Sequence, residues 1–406
     1  MRLTWKRPRR VQVVYFGRTG NDLLRNYISE ESSVVYLSPL VELNVWVSLK
    51  MLFSGGISQT RYYHAFLQLT KPRCVITMED NNLVFYSTKC AQPECRTLAI
   101  QNGLRVLYSH TPNSNFFKDL KDSTSRGYGV DVCATMGSAS SRLYAEALGN
   151  RAIRIVETGS LRNNALVLGP PRSSDQRRRL VFISSFPNLG ADGIDPDWDS
   201  RVVHYFGDVG LTNSEYFRIE GVVARIAAES ALDRGLEFCV LGKRPNWQIG
   251  ERRFFQSSIG DLKWRYLPSD HQASSYESIA DSDLVITTDS TLGYEFFARG
   301  LRVAFVASRM RLAGFPNVRE GIFADLTHSE DQGPIWTDVC TTLEVNRLID
   351  YLLTATDSQW QALTRDLRSK VVCFDDQNRC FCAILSELGI PNKGPSLWRR
   401  DLIPSN

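Results

Sequence analysis

The sequence predicts an α/β protein with two doubly wound domains, each built on a mainly parallel sheet. Short apolar runs rich in β-branched residues alternate with segments of helical periodicity, a pattern typical of parallel strands joined by crossover helices. The alternation stops in a Gly-Pro-Pro segment within 166–179 and then starts again. The chain has 406 residues, which is too long for one ordinary core and fits two domains.

The first predicted domain, 1–165, contains six strands. Each run is apolar and ends in glycine or polar residues, which are typical ends of buried strands. These strands are predicted at 11–17, 34–37, 74–78, 98–100, 130–135 and 153–156. Helices are predicted at 41–53, 59–69 and 140–148 from apolar periodicity. Polar residues directly follow several strands, at the edge where such sheets bind ligands.

The second predicted domain, 180–345, repeats the pattern after the linker, 166–179. Its strands are predicted at 180–184, 236–241, 264–267, 284–287 and 303–306. The helix between the first two strands starts with a capping-box pair, Thr212 and Glu215. The remaining residues, 346–406, carry helical apolar stripes and are predicted to form C-terminal closing helices and a tail.

The strand at 284–287 leads into a candidate anion site. Asp289, Ser290 and Thr291 form a polar turn between this strand and a helix, and helix amino ends favour anionic groups. Ser290 and Thr291 would equally serve as ordinary helix caps. A capping box needs an acid three residues after the cap, and Glu295 lies too far along the chain. We therefore expect Glu295 to serve a site, for example by holding a ribose hydroxyl.

A second candidate for anion binding follows the strand at 236–241. Gly242 closes this strand, and Lys243 and Arg244 come next. Both side chains offer cationic donors to a phosphate, and arginine can bind it bidentately. The alternative is an ordinary basic surface loop. The position after a strand favours a role in donor binding.

The first domain offers acidic and amide side chains at its strand ends. Glu79 and Asp80 follow the strand at 74–78, and either could act as a general base or a nucleophile. The alternative for Asp80 is to cap the next helix. Gln101 and Asn102 could bind the hydroxyls of an acceptor sugar, but Asn102 also starts an Asn-Gly turn dipeptide.

The charge pattern gives little reason to expect nucleic acid as a partner. The formal net charge is only +4, with 43% hydrophobic and 23% charged residues. One basic run stands out at the start of the chain: Arg2, Lys6, Arg7, Arg9 and Arg10. It fits either contact with an anionic membrane surface or a solvated tail. No apolar signal region follows it and no run is long enough to span a bilayer, so we expect a cytoplasmic protein. Peripheral contact with the inner membrane is one of the two alternatives for the basic run.

Cysteine and histidine spacing does not indicate a metal site. Nine cysteines are present and most lie in apolar runs, where buried reduced thiols are expected. The five histidines form no zinc-hydrolase motif. His110 and His271 could contact a phosphate or act as an acid or base, although a structural role is the simpler interpretation. We expect metal-independent chemistry without a cofactor.

Two sets of motifs resemble known families. The order of strands and turns in the second domain, with Leu241-Gly242-Lys243-Arg244 and Thr288–Glu295, resembles the donor-binding half of GT-B glycosyltransferases. In that superfamily a basic residue after the second strand binds the donor phosphates, and the later turn and its acid bind phosphate and the sugar or ribose. The resemblance implies two Rossmann-like domains that face a cleft.

The first half is similar to bacterial surface-carbohydrate biosynthesis proteins, those of O-antigen and capsule. The similar segments are Tyr36-Leu37-Ser38, Ile76–Asn81 and Ile100–Gly103. The resemblance implies a glycosyltransferase that moves a sugar from a nucleotide-sugar to a glycan or lipid-linked acceptor. Some related enzymes use CMP-activated Kdo, which suggests that donor. The alternatives are a sugar-nucleotide 2-epimerase, a polyol-phosphate transferase, and a polysaccharide-assembly protein without catalytic activity.

Overall fold

Two mainly parallel sheets form the centres of two structural units in this computed structural model. The structure describes residues 2–105, 115–167, 178–186, 197, 199–206, 209–270, 274–280, 282–317, 321–327 and 332–394. The first unit takes in the described residues of 1–104, 115–166 and 372–398, and the second takes in those of 105–114, 167–371 and 399–406. Most of the predicted linker, 166–179, lies outside the described residues.

The described residues contain the following strands and helices. The strands are β1 (Arg2–Thr4), β2 (Val13–Phe16), β3 (Ser33–Tyr36), β4 (Glu42–Asn44), β5 (Cys74–Thr77), β6 (Arg96–Ile100), β7 (Val130–Thr135), β8 (Ala152–Glu157), β9 (Arg179–Ile183), β10 (Val202–Phe206), β11 (Val209–Thr212), β12 (Glu237–Leu241), β13 (Arg265–Leu267), β14 (Leu284–Thr287), β15 (Val303–Val306), β16 (Gln332–Gly333) and β17 (Trp336–Thr337). The helices are α1 (Asn21–Leu24), α2 (Val45–Leu52), α3 (Gln59–Thr70), α4 (Leu83–Tyr86), α5 (Thr88–Ala91), α6 (Asn115–Thr124), α7 (Ser138–Leu148), α8 (Leu161–Ala165), α9 (Asn213–Asp233), α10 (Ile249–Ile259), α11 (Ser274–Ala280), α12 (Thr291–Ala298), α13 (Arg309–Leu312), α14 (Ile322–Thr327), α15 (Thr342–Thr354), α16 (Asp357–Val371) and α17 (Arg379–Glu387).

The first unit has a fully parallel six-stranded sheet in the order β3-β2-β5-β6-β7-β8. Side chains alternate between the two faces of the sheet along each strand, and both faces of this sheet are buried. Val14 and Phe16 pack in one apolar cluster with residues of α3. Val13 and Tyr15 pack in the other, with residues of α17. Helices thus cover both faces, as the predicted doubly wound architecture requires.

The second unit has a seven-stranded sheet in the order β13-β12-β9-β14-β15-β17-β16. Its strands are parallel except for β16, which pairs antiparallel with β17. The predicted capping box at the start of α9 is present, with the Thr212 side chain accepting from the Glu215 backbone N–H and Glu215 accepting in return. The predicted fold class is therefore confirmed in both units.

The predicted helix at 41–53 is only partly correct. Residues 42–44 form β4 and the helix α2 begins at Val45. The reason is a distant partner, because β1 pairs in parallel with β4. Helical periodicity over a short apolar run does not reveal such a partner.

The predicted C-terminal segment, 346–406, is divided between the units. Helices α15 and α16 belong to the second unit, whereas α17 belongs to the first. A buried amide network joins the returning chain to the first unit: Asn378 donates to Tyr27 Oη at 2.7 Å and to Leu161 O at 2.8 Å, and accepts from Asn164 at 2.9 Å. These bonds satisfy buried polar groups that would otherwise be costly.

Candidate functional site

The carboxyl edge of the second sheet gathers charged and hydroxyl side chains. Four neighbouring strands, β12, β9, β14 and β15, end at this edge, where doubly wound sheets bind ligands. The residues that follow these strands are Lys243 and Arg244, Ser184 and Ser185, Thr288 and Asp289, and Ser308 and Arg309. Two buried glutamates, Glu251 and Glu220, reach the same edge from helices α10 and α9.

Glu251 fixes the loop that carries Lys243 and Arg244. Its carboxylate accepts the Lys243 backbone N–H at 3.0 Å and the Arg244 backbone N–H at 3.1 Å. It also accepts the Ser184 hydroxyl at 2.6 Å and the Tyr266 hydroxyl at 2.7 Å. Desolvation raises the pKa of Glu251, and these hydrogen bonds oppose that rise. The loop is therefore held through its backbone, which leaves both basic side chains available.

Gly242 is required by the same packing. A Cβ at this position would lie 2.0 Å from the Tyr266 hydroxyl oxygen, far inside van der Waals contact. Since that hydroxyl is bonded to Glu251, a larger residue would displace a partner of the carboxylate. Donor binding by Gly242 stays a prediction, and the structure shows that its lack of a side chain makes room for Tyr266 beside the two basic residues.

Glu220 and Arg309 form a buried ion pair beside this loop. The Arg309 Nη2 lies 3.4 Å from Glu220 Oε1, and both side chains are at most 6% exposed. Glu220 also accepts the Ser185 backbone N–H at 3.0 Å and the hydroxyl of Thr288. The guanidinium of Arg309 lies 4.5 Å from the ring centre of Tyr216, in a cation–π contact. Desolvation raises the pKa of Glu220, and Arg309 opposes this effect.

The basic residues lie close enough to influence each other. The pKa of Lys243 is lowered, first by desolvation and then by the charge of Arg244, although much of its side chain is exposed. Arg309 lowers it further, whereas Glu220 and Glu251 raise it. Positive charges that lie close together repel each other, and a bound anion relieves this repulsion.

Two buried polar atoms at this edge make no hydrogen bond within the described part of the chain. They are the Ser185 hydroxyl and the Arg244 Nε. Buried polar groups are normally paired with protein or water. A polar ligand or solvent at this edge would complete their hydrogen bonding.

The turn at 289–295 is ordered by two tyrosines. Tyr294 donates to Asp289 Oδ1 at 2.8 Å, and Tyr276 donates to Glu295 Oε2 at 2.7 Å. Glu295 is only 5% exposed, and α12 begins after Ser290 without a side-chain cap. Ser290 and Thr291 are half-buried. The Glu295 carboxylate is turned inward, toward Tyr276. A ribose contact by Glu295 stays a prediction.

In the first unit, Glu79 lies at the carboxyl edge of the sheet and is half-buried. Its Oε1 accepts the Arg18 backbone N–H at 3.2 Å and the Thr19 hydroxyl at 3.3 Å. Gly17 makes room for it: the residue has φ +87°, and a Cβ there would lie 2.0 Å from this oxygen. Glu79 also lines an open groove of about 500 Å³ together with Asn81, Asn82, Leu83 and Val84.

Asp80 is fully buried, unlike its neighbour. Its carboxylate accepts the Asn102 backbone N–H at 3.2 Å and the hydroxyl of Tyr144. It does not cap the next helix, because Asn82 does so by accepting from the Val84 N–H. Asp80 joins three segments of the first unit, and this position favours a structural role over a catalytic one.

Gln101 and Asn102 differ in the same way. Gln101 is 2% exposed, and its amide donates to Gly103 O and Ser140 Oγ and accepts from the Met136 N–H. Asn102 is exposed at the turn. Acceptor binding by either residue stays a prediction, and Asn102 is the one whose side chain is accessible.

Sequence reasoning missed Glu220, Glu251 and Arg309. Arg309 carried a signal, since it comes three residues after a strand end. Glu220 also carried one, because it interrupts an apolar helical stripe that includes Ile219 and Val223. Glu251 had no signal in the sequence, because its partners lie on other elements: backbone N–H groups of the loop after β12, the Ser184 hydroxyl after β9 and Tyr266 on β13.

The remaining sequence predictions concern two histidines, metal binding and membrane spans. His110 and His271 lie outside the described residues. Within the described ranges, no group of three or more His, Cys, Asp or Glu residues is placed to hold a metal ion. In the same ranges no helix has the length and apolar character needed to cross a bilayer.

A protein-family comparison matches more than two thirds of the chain. The family is described as "putative O-antigen biosynthesis protein", and the match covers residues 98–389. A search of curated proteins found no match.

Comparison with solved structures identifies the fold. A Listeria monocytogenes protein described as a putative UDP-N-acetylglucosamine 2-epimerase is 11% identical, with a TM-score of 0.52 over 96% of this chain and 100% of that one. The S. aureus MnaA structure with UDP is 13% identical, with a TM-score of 0.50 over 96% and 100%. The wall teichoic acid polymerase TagF aligns at 13% identity and a lower TM-score of 0.46, over 93% and 88%. The chain has the two-domain, Rossmann-like GT-B fold.

Proposed function

Since the chain belongs to the family of O-antigen biosynthesis proteins, we propose that it is a GT-B glycosyltransferase of surface polysaccharide synthesis. It would move a sugar from a nucleotide-activated donor to a growing glycan or a lipid-linked acceptor. The basic segment at the start of the chain would contact the membrane that carries such an acceptor. A CMP-Kdo donor stays a prediction from resemblance alone.

The basic cluster of the second unit supports this proposal most. Lys243, Arg244 and Arg309 lie at the carboxyl edge of the sheet, and buried glutamates fix their positions. A nucleotide-sugar carries its negative charge on phosphates, and these become the leaving group. Fixed positive charges stabilise that group as the bond to the sugar breaks.

In the proposed reaction the acceptor hydroxyl attacks the anomeric carbon of the donor. A new carbon–oxygen bond forms, the bond from that carbon to the phosphate oxygen breaks, and the nucleotide leaves with the electron pair. Glu79 would take the proton of the hydroxyl, because its carboxylate lines an open groove and Asp80 is buried. Such general-base assistance contributes about 10²–10⁴-fold to a rate.

Nucleotide titration tests the donor site. We expect UDP, CDP, CMP or GDP to bind in isothermal titration calorimetry, and UDP comes first because the MnaA structure contains it. Lys243→Met and Arg244→Met should each weaken binding about 10- to 100-fold, as expected for a lost hydrogen bond to a charged group. Arg302→Met is the matched control, since Arg302 precedes β15 and lies at the opposite edge of the same sheet. If no nucleotide binds, or the control has the same effect, the donor-site assignment is wrong.

A 2-epimerase of the same fold is the second candidate. It needs several acids and a histidine close together. Glu251 raises the pKa of Glu220 at this edge, so two acids lie near each other, whereas no histidine of the described residues is among the side chains gathered there. Incubation of the protein with UDP-N-acetylglucosamine alone, followed by proton NMR, distinguishes the two. Epimerisation without an acceptor would favour the epimerase, whereas sugar transfer that depends on an added acceptor supports the transferase.

A further inference from the structure

Large apolar side chains are exposed on one part of the first unit. They come from the segment 3–57, and several are more than two-thirds exposed: Trp5 at 69%, Leu40 at 82%, Phe53 at 88% and Ile57 at 81%. Trp46 and Leu49 are each 46% exposed. We call these six residues the apolar patch. Single exposed apolar residues are common, but a cluster of them usually marks an interaction site.

Backbone and side-chain bonds bring two parts of the apolar patch together. β1 pairs with β4, and the Arg2 N–H donates to Val41 O at 2.9 Å. The Trp46 indole N–H donates to Trp5 O at 2.8 Å. The start of the chain is thus attached to the segment that leads into α2, and Trp5 lies beside Trp46.

The helix α2 presents this surface in a fixed orientation. Val47 and Met51 are buried and join the core of the first unit. Trp46, Leu49 and Phe53 are spaced three and four residues apart, so they share the other face. Trp46 and Leu49 therefore lie on a helix that is anchored by its opposite face, with Phe53 directly after it, and their exposure is not caused by loose packing.

Positive charge lies next to the two tryptophans of the apolar patch. Arg2, Lys6, Arg7, Arg9 and Arg10 are all exposed, and residues 2–10 contain no acid. The Arg7 guanidinium lies 5.8 Å from the ring centre of Trp46, and Lys50 is exposed on α2 itself. Basic side chains near a bilayer are attracted to anionic lipids, and tryptophans favour the membrane interface.

We propose that the apolar patch docks on the surface of an anionic lipid bilayer, with Phe53 and Ile57 inserted among the lipids and the basic segment 2–10 against the headgroups. Charge decides between this partner and a second copy of the chain. A two-fold contact would bring the same patch and its basic rim together in both copies, and like charges placed together are costly. Anionic headgroups complement both features.

Vesicle sedimentation of the full chain tests the proposal. We expect binding to vesicles of phosphatidylglycerol and phosphatidylcholine, weaker binding at high salt, and little binding to phosphatidylcholine alone. The double variant Phe53→Ser/Ile57→Ser should reduce binding at least 10-fold, because two large apolar side chains no longer leave water. Lys6→Glu/Arg7→Glu should reduce it as well. Leu343→Ser, at a leucine of the second unit that is 77% exposed, should leave it unchanged.

Two results would overturn the proposal. One is no binding to anionic vesicles at low salt by folded protein, as judged by circular dichroism. The other is a concentration-dependent dimer that Phe53→Ser/Ile57→Ser abolishes, which would assign the patch to a second copy. The inference deepens the membrane contact of the proposed function but does not rest on its chemistry, since nucleotide binding should be unchanged in every one of these variants.

Discussion

The carboxyl edges of the two sheets follow one architectural rule but differ in the basic side chains that they gather. In the first unit this edge offers acids and amides, and most of them are used internally, as with Asp80 and Gln101. In the second unit it offers Lys243, Arg244 and Arg309. The first edge therefore suits proton transfer and the second suits an anion.

Buried carboxylates organise both edges. Asp80 accepts a backbone N–H of the loop after β6, and Glu251 accepts two backbone N–H groups of the loop after β12. Hydrogen bonds to a charged acceptor are stronger than neutral ones. The comparison teaches that an acid at a strand end can serve as a scaffold, and that its accessibility separates scaffold from candidate catalyst.

The largest effect is expected from Glu79→Gln. If Glu79 is the general base, the rate of sugar transfer should fall about 10²–10⁴-fold, while the free energy of unfolding should change little because the amide still accepts from Arg18 N–H. Transfer kinetics and urea unfolding check both parts. Glu30→Gln, at an exposed surface ion pair with Arg25, is the control. An unchanged rate in Glu79→Gln would remove Glu79 from the mechanism.

The next largest effect is expected from breaking the buried ion pair of the second unit. Arg309→Met leaves Glu220 buried without its cation, and we expect a loss of about 3–5 kcal/mol in unfolding free energy. Glu220→Gln/Arg309→Met should recover stability, because neither charge remains, but should not recover nucleotide binding. Urea unfolding and calorimetry measure these outcomes. A double variant that binds nucleotide like the parent would show that Arg309 acts only as a scaffold.

A smaller effect is expected from Asp80→Asn. The charged bonds to Tyr144 and to the Asn102 N–H are weakened, which should cost about 1–3 kcal/mol of stability. At a temperature where the variant is folded, its transfer rate should stay near that of the parent. Tyr144→Phe and the double variant complete a double-mutant cycle, and coupling between the two changes is expected. A folded Asp80→Asn protein without activity would reverse the roles assigned to Glu79 and Asp80.

The central strands were predictable because they are buried on both faces. Cys74–Thr77 and Leu284–Thr287 are uninterrupted apolar or β-branched runs, and such runs need no distant partner to be recognised as strands. The strands β1 and β4 are short and partly exposed, and only their pairing stabilises them. Local sequence does not encode a partner 40 residues away, so the prediction for 41–53 failed at its start.

The position of a candidate residue at a sheet edge was predictable where that residue follows a strand directly. Lys243, Arg244 and Glu79 are of this kind. Glu220 and Glu251 lie on helices and reach the edge only after folding, so their partners are far apart in the sequence. The same limit explains why Asp80 was predicted to be catalytic. Its partner Tyr144 lies 64 residues away in the sequence, and no local pattern distinguishes such a bonded acid from one that faces a substrate.

The smallest expected effect concerns the pH dependence of nucleotide binding. In the free protein the pKa of Lys243 is lowered by desolvation and by Arg244, and a phosphate is bound best by the charged amine. As the pH rises through this lowered pKa, the charged fraction falls and the affinity falls with it, by no more than tenfold per pH unit because one proton is involved. The decline should begin below the ordinary lysine range near a pKa of about 10.4.

Lys243→Arg should abolish this decline in affinity, since a guanidinium stays charged. Calorimetry with UDP between about pH 7 and pH 10 gives the two profiles. Identical, flat profiles would mean that the Lys243 amine does not contact the nucleotide, and the donor site would then rest on Arg244 and Arg309.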